Sequence, residues 1–344
     1  MAKLRAAILG GTGYVGGELL RILSRHPEVE IEFVSSESQA GLPLGKVLPA
    51  LRLPAALSAL ELGRLADLPE VDVVFACLPN GTLPRSLELI RARSPLVINL
   101  AGDYRLTNPS ELAAHYPASL EFPAADAVYA IPELTPELPA RGVINVSGCM
   151  STTTIYALYP LLRAGLIEPY VVADLKTGSS GGGKSSDETP AERAGNLRPH
   201  KLHGHRHEPE ISEALGRSTG QALELQFSTH SIDLPRGIYA AVYSKLKPGV
   251  TAQDVRKAYF GAYRDHEFVR YLAPSPHPHA QPMLKSVLGT NVVEVSASVE
   301  NGRCVTIACL DNLIKGAAGQ AVQVLDRVFN FTNTGYLATQ GIWP

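Results

Sequence analysis

Ala6-Ala-Ile-Leu9-Gly10-Gly-Thr12-Gly13-Tyr14-Val15-Gly16-Gly17 is the stretch that decides how the first half of the chain folds. Its four apolar residues make a short strand, and glycines at 10, 13 and 16 follow without a break. Glu18 to Arg25 has the spacing of an amphipathic helix, and Ile31 to Val34 reads as the next strand. Strand, glycine turn, helix and strand in that order is the context a dinucleotide-binding unit requires. Gly10 permits the tight turn, Gly13 lets the backbone approach a pyrophosphate, and Gly16 lets the helix pack close to the strand. Gly10, Thr12, Gly13, Tyr14, Val15 and Gly16 are therefore candidate cofactor contacts.

The residues after the second strand select the cofactor. Enzymes that use NAD place Asp or Glu there, about 20 residues beyond the glycines, to hold the ribose 2′-hydroxyl. This chain offers Ser35 and Ser36 first, with Glu37 beyond them. Hydroxyls can donate to a 2′-phosphate, so NADP is expected. Val71–Cys77 and Leu96–Leu100 continue the strand pattern, with a helical Ser86–Arg93 between them. Their loops hold Asn80, Gly81, Asp103 and Arg105, at strand ends where open α/β sheets bind ligands. Residues 106–142 are rich in proline and read as irregular. Val143 to Val146 then leads to Gly148 and Cys149, followed by Ser151 and threonines at 152, 153 and 154, which suit the first turn of a helix. Unpaired N–H groups and the positive end of the helix dipole favour a thiolate there, making Cys149 the candidate nucleophile.

Bulk properties narrow the class. A chain of 344 residues suggests two domains, since single cores stop growing near about 250–300 residues. Hydrophobic residues at 45%, charged residues at 19% and a net charge of −2 describe an ordinary soluble protein, with no call for nucleic acid or an anionic membrane. The N-terminus turns glycine-rich too soon for a signal peptide, and no apolar run nears the roughly 18 residues of a membrane helix. A cytoplasmic enzyme is the expectation. Cys77, Cys304 and Cys309 sit in apolar runs as inert core residues, and no metal site is expected.

Beyond Cys149 the pattern changes. Val171–Lys176 is a strand, and Thr177 to Ser186 is a polar glycine loop expected to line the site. Gly178 through Ser185 meets the P-loop spacing, but Asp187-Glu-Thr-Pro190 offers no helix for phosphates to cap. Residues 191–211 concentrate Arg193, Arg198, His200, Lys201, His203, His205, Arg206, His207, Glu208 and Glu210, a basic cluster suited to an anionic substrate and a proton-transfer residue. If this segment is a strand, His205 and His207 face the same side; if it is helical they diverge. Gly204 is expected to let the backbone approach the Cys149 helix. Residues 222–246 and 292–311 read as long alternating strands, so the second domain is α+β, and a final amphipathic helix follows Asp311-Asn312.

Together these stretches resemble the N-acetyl-gamma-glutamyl-phosphate reductases, relatives of aspartate-semialdehyde dehydrogenase. The resemblance is carried by residues 10–18, Asp103–Leu106, Tyr129–Leu134, Gly148-Cys149, Gly204–Ile211, Pro235–Gly237, Gly289–Asn291 and Asp311–Ala321. It implies an NADP-binding Rossmann domain over 1–148 with 316–344, and an α+β catalytic and oligomerisation domain over 149–315. It also implies NADPH, a homo-oligomer (dimer or tetramer), and an acyl phosphate substrate reduced to a semialdehyde through a Cys149 thioester. On this reading His205 is the acid/base, with His207 as competitor. Arg105, Arg206, His207 and Glu210 contact substrate, and Gly181 and Asn312 lie near the nicotinamide. Two departures are visible: Gly102 stands where relatives usually carry a small residue such as Ala, and Glu37 where Arg is frequent. Residues 190–198 resemble the branch reducing aminoadipyl phosphates in lysine synthesis, whereas His207–Ile211 resembles the arginine branch, which is preferred. A non-catalytic NADP-sensing regulator on the same fold would not need Cys149, His205, Arg105 and Arg206 together. A thiol-protease-type hydrolase would not need the dinucleotide turn.

Overall fold

The computed structural model describes residues 2–184, 189–277 and 280–342, so the expectations that fall on Ser185 to Glu188 lie outside the described residues. The chain forms two compact units: Met1–Gly148 with Ala317–Leu337, and Cys149–Gly316 with Ala338–Pro344.

The first unit is a doubly wound sheet. Strands β1 (Leu4–Leu9), β2 (Val29–Val34), β3 (Val73–Ala76), β4 (Leu96–Asn99), β5 (Ala127–Ala130) and β6 (Gly142–Val146) lie in the order β2-β1-β3-β4-β6-β5, all parallel. Central strands such as Val73–Ala76 are buried along their whole length, as expected of a sheet covered on both faces. The winding reverses between β1 and β3, which sets the ligand crevice beyond their C-terminal ends. Helix α1 spans Tyr14–Leu23 and α2 spans Thr82–Arg91. The C-terminal helix, Gly319–Phe329, packs on α1, β4 and β6.

Two local expectations fail here. The first helix starts at Tyr14, not Glu18, because Gly13 is its extended N-cap residue. Residues 106–142 are not irregular: α3 (Pro109–His115), α4 (Pro117–Glu121) and β5 lie within them. Asn108 caps α3 by accepting from the Ser110 N–H at 2.9 Å, with Pro109 at the first helical position, a helix-start signal hidden by the proline count.

The second unit is a mixed sheet of β7 (Ile167–Thr177), β8 (Arg198–Lys201), β9 (Glu224–Ser231), β10 (Ile238–Leu246), β11 (Val269–Tyr271), β12 (Val293–Glu300) and β13 (Arg303–Leu310), in the order β11-β12-β13-β10-β7-β9-β8. Helix α5, Cys149–Arg163, packs across β10, β12 and β13 and against α6 (His207–Thr219) and α7 (Ala252–Tyr263). The threonines of α5 are not confined to its first turn. Thr153 and Thr154 donate to the carbonyls four residues back, Cys149 and Met150, at 2.9 and 3.0 Å. Pro160 lacks the N–H that would bond the Tyr156 carbonyl, and the Tyr263 hydroxyl of α7 donates to that oxygen instead, at 2.7 Å. The polar cluster conceals α6, whose Ile211, Ala214 and Leu215 are buried at helical spacing.

Candidate active site

In the first unit the glycine turn is built as the sequence requires. Gly10 sits at φ +77°, and a Cβ there would meet the Cys77 carbonyl oxygen at 2.5 Å. A Cβ on Gly16 would meet Gly10 O at 2.5 Å, so α1 packs directly on the turn. On Gly13 it would find only Gly10 O, at 3.5 Å, leaving the first N–H groups of α1 approachable beside the partly exposed Val15 and exposed Tyr14. Ser35 Oγ accepts from the Gly10 N–H (3.1 Å), and Ser36 Oγ lies 3.1 Å from Thr12 Oγ1. Glu37 turns away, its Oε1 accepting from the Leu65 N–H at 2.9 Å. An anion cradle of backbone N–H groups with hydroxyls behind it fits a dinucleotide.

At the C-terminal ends of β4 and β6, two buried asparagines shape the next loop. Asn99 Nδ2 donates to Asn145 Oδ1 (3.0 Å) and to the Asp103 carbonyl (2.9 Å), while Asn145 donates to the Tyr104 carbonyl (3.2 Å). Both Asp103 carboxylate oxygens accept from the Gly81 N–H, and burial raises the Asp103 pKa above its ordinary value. Tyr104 is held at φ +63°, a conformation costly for a non-glycine residue. Arg105 is buried, with Nη2 donating to the Leu100 carbonyl at 2.8 Å. The Gly102 departure has a steric reason, since the Tyr116 ring occupies the space a Cβ would need.

In the second unit Cys149 opens α5 and its residue is half-buried. The chain at Gly316 lies against it: a Cβ on Gly316 would meet Cys149 Cβ at 2.6 Å and Cα at 3.1 Å. That contact is set by a π turn over Ile314–Ala318. Gly316 N donates to Asp311 O at 3.0 Å, and the buried Asp311 carboxylate accepts from the Leu313 N–H (2.9 Å), the Ile314 N–H (3.3 Å) and the Gly289 N–H (2.9 Å). Lys315, fully buried, holds its ammonium over the rings of Tyr156 (5.5 Å) and Phe268 (5.6 Å). Asn312 accepts from the Gly237 N–H (2.8 Å) and donates to Ser180 Oγ (3.0 Å), joining the 234–237 turn to the glycine loop in which Gly181 is exposed.

His205 and His207 share neither a strand nor a helix. His205 precedes α6, His207 begins it, and their rings lie 4.8 Å apart. His205 Nδ1 accepts from the His207 backbone N–H at 3.1 Å, which leaves the hydrogen of a neutral ring on Nε2. Burial, then the charges of His207, Arg206, His200 and Lys201, push the His205 pKa down to about 2. His207 Nδ1 lies 2.7 Å from Glu210 Oε2, and both residues are buried. Arg206 is exposed. Gly204 does not work by close approach as expected: nothing lies within 4 Å of an added Cβ, and its φ of +63° is what glycine supplies. Asn99, Asn145, Lys315 and Gly316 were not singled out from the sequence, although buried polar residues at strand ends and after a strand were the available signal.

Comparison with known proteins decides the family. The family model described as semialdehyde dehydrogenase, NAD binding domain, matches residues 5–140, and the dimerisation-domain model matches 149–312. The chain belongs to the semialdehyde dehydrogenase family. It is 43% identical over 345 residues to N-acetyl-gamma-glutamyl-phosphate reductase 1 of Lactiplantibacillus plantarum, covering 99% of this chain and 100% of that one. It is also 38% identical to a LysW-L-2-aminoadipate 6-phosphate reductase of Thermomicrobium roseum, covering 98% of each. The aspartate-semialdehyde dehydrogenase of Candida albicans, solved with NADP, shares the family's fold with a TM-score of 0.71 at 17% identity, over 96% of this chain and 100% of that one. Among the described residues no helix is long and apolar enough to cross a membrane, and no group of three or more His, Cys, Asp or Glu could hold a metal.

Proposed function

We propose that the chain is an NADPH-dependent reductase that converts N-acetyl-L-glutamyl 5-phosphate to N-acetyl-L-glutamate 5-semialdehyde and phosphate, in the arginine pathway of the cytoplasm. The observation that carries this reading is Cys149 at the first residue of α5, pressed by Gly316, in a chain similar end to end to an enzyme of that name. The helix N-terminus favours Cys149 as thiolate. Its sulfur attacks the acyl carbon, the bond to the phosphate oxygen breaks, and phosphate leaves with the electron pair. A reduced nicotinamide held by the glycine turn, Asn312 and Gly181 would supply the hydride that the thioester carbonyl carbon needs. His205 offers its Nε2–H to the carbonyl oxygen while charge builds there, and collapse of that oxyanion returns the electron pair to sulfur. His207 and Glu210, expected as substrate contacts, are buried as a pair and orient His205 in this scheme. Arg206 and Arg105 are the proposed anion-binding cations, and Asn312 with Gly181 the proposed nicotinamide wall. Gly10, Thr12, Gly13, Tyr14, Val15 and Gly16 cradle the pyrophosphate, with Ser35 bracing the turn.

A second copy of the chain is the proposed partner, since the 149–312 match is to a dimerisation domain and the second sheet leaves Tyr170 and Tyr243 exposed. The test is the reverse reaction, in which either N-acetylglutamate semialdehyde or an amino-blocked aminoadipate semialdehyde is mixed with phosphate and NADP or NAD. Reduction of the cofactor with the glutamate compound supports the reading. Turnover confined to the aminoadipate compound moves the chain to the lysine branch, which the Thermomicrobium relative and residues 190–198 favour.

A further inference from the structure

Ser35, Ser36 and Glu37 follow β2 and none of them is a cation, so a cation for a cofactor 2′-phosphate must come from elsewhere. The segment beside β2 supplies one. Ser35 forms a parallel bridge with Gly63, the Gly63 N–H donates to the Val34 carbonyl at 3.0 Å, and the Ser36 N–H donates to the Gly63 carbonyl at 2.9 Å. Ser36 and Arg64 follow that single bridge on the two segments, Arg64 with an extended backbone (φ −93°, ψ 162°). Side chains alternate along extended backbone, so the residues just after a parallel bridge leave their two segments on a common side. Ser36 Oγ is already 3.1 Å from Thr12 Oγ1 of the glycine turn. Arg64 is exposed, and no ion pair engages its guanidinium among the described residues. The carboxylate that would hold a ribose 2′-hydroxyl instead accepts from the Leu65 N–H.

We propose that Arg64, with the hydroxyls of Ser36 and Thr12, forms the binding site for the 2′-phosphate of the cofactor, making Arg64 the residue that selects NADP over NAD. Two hydroxyl donors and a planar guanidinium match a phosphate monoester, and Arg suits it better than a point charge would. The position of Glu37 is consistent with this: its side chain braces the 64–67 turn that carries Arg64. The inference rests on the NADPH reading above, and its test keeps the two apart.

Binding of adenosine 2′,5′-bisphosphate and of adenosine 5′-monophosphate is measured by calorimetry on the full chain and on Arg64→Met, which keeps the side-chain stem. Loss of a charge-assisted phosphate contact should weaken the bisphosphate roughly 10–100-fold while leaving the monophosphate within about twofold. Arg64→Lys should recover part of the loss. A wild-type chain that binds the two nucleotides equally defeats the NADPH reading itself. Discrimination that persists in Arg64→Met, or an equal loss for both nucleotides, overturns the role of Arg64 alone.

Discussion

Replacing Gly316 by Ala adds one methyl group, and it enters occupied space. Its Cβ would stand 2.6 Å from Cys149 Cβ, 3.1 Å from Cys149 Cα and 3.3 Å from Leu310 Cδ1. Cys149 Cα is backbone at the head of a packed helix, so no flexible side-chain end can simply swing away. Either the π turn or the head of α5 must move by several tenths of an ångström. Overpacking of this kind costs about 1–3 kcal/mol, against which the better helix propensity of Ala returns about 1 kcal/mol. Net destabilisation is therefore about 0–2 kcal/mol, too small to unfold a domain of ordinary stability. Turnover is more sensitive, because a nucleophile displaced by about 1 Å can cost on the order of 10²-fold in rate. The expected result is a variant that melts within a few degrees of wild type yet loses about 10²-fold in kcat/KM, with a matching change in the rate of Cys149 alkylation by iodoacetamide. A variant with normal alkylation and turnover within about threefold would refute the reasoning, since the contact would then be set without Gly316.

Three other substitutions probe the same unit. Cys149→Ser should abolish turnover while leaving nucleotide binding intact, and residual activity within about tenfold of wild type would exclude the thioester route, which should be worth several kcal/mol of barrier. Tyr263→Phe strands the Tyr156 carbonyl that Pro160 has freed and should lower unfolding stability in urea by about 1–3 kcal/mol, whereas no change would mean that another donor takes over. His205 has a folded pKa of about 2 against 6.5 unfolded, so below pH 6.5 the unfolded chain binds a proton that the native chain refuses. Stability should fall with pH there, by at most about 1.4 kcal/mol per unit, and be unaffected by this group above that range. His205→Asn should flatten the slope between about pH 6 and pH 4 in urea titrations; an unchanged slope would show that His205 titrates normally.

The Rossmann unit was legible because one short signal fixes it: three glycines directly after an apolar strand leave few other folds available. The head of α5 was legible for a similar reason, a strand, a glycine, a thiol and then hydroxyl residues. Helix α6 was not, because His207, Glu208 and Glu210 at its start read as part of a polar cluster for an anionic substrate, and its three buried apolar residues come only after them. Helix α3 was masked by the prolines around it, although Asn108-Pro109 was there to be read. The pairing of His205 with the His207 backbone could not be read at all. It depends on a single nitrogen meeting a single N–H at a helix boundary, which side-chain periodicity does not encode.

Buried charges hold the turn that lies against Cys149. Asp311 is buried, accepts three backbone N–H groups and has the Arg236 guanidinium at 3.6 Å. Lys315, four residues on, is buried between two aromatic rings. Burying these charges costs free energy that a hydrophobic replacement would avoid, so stability alone does not account for them. Their placement does. Asp311 fixes the start of the π turn through main-chain bonds, Lys315 holds its middle over Tyr156 on α5, and Gly316, the next residue, lies against Cys149. An apolar side chain at 315 could fill the same volume, yet it would lack the attraction to the ring faces that fixes where the chain lies. Lys315→Met should accordingly be close to neutral for stability but should loosen Gly316 and lower kcat by about tenfold or more. A Lys315→Met variant that loses stability without losing turnover would show that the ammonium serves the fold and not the position of Cys149.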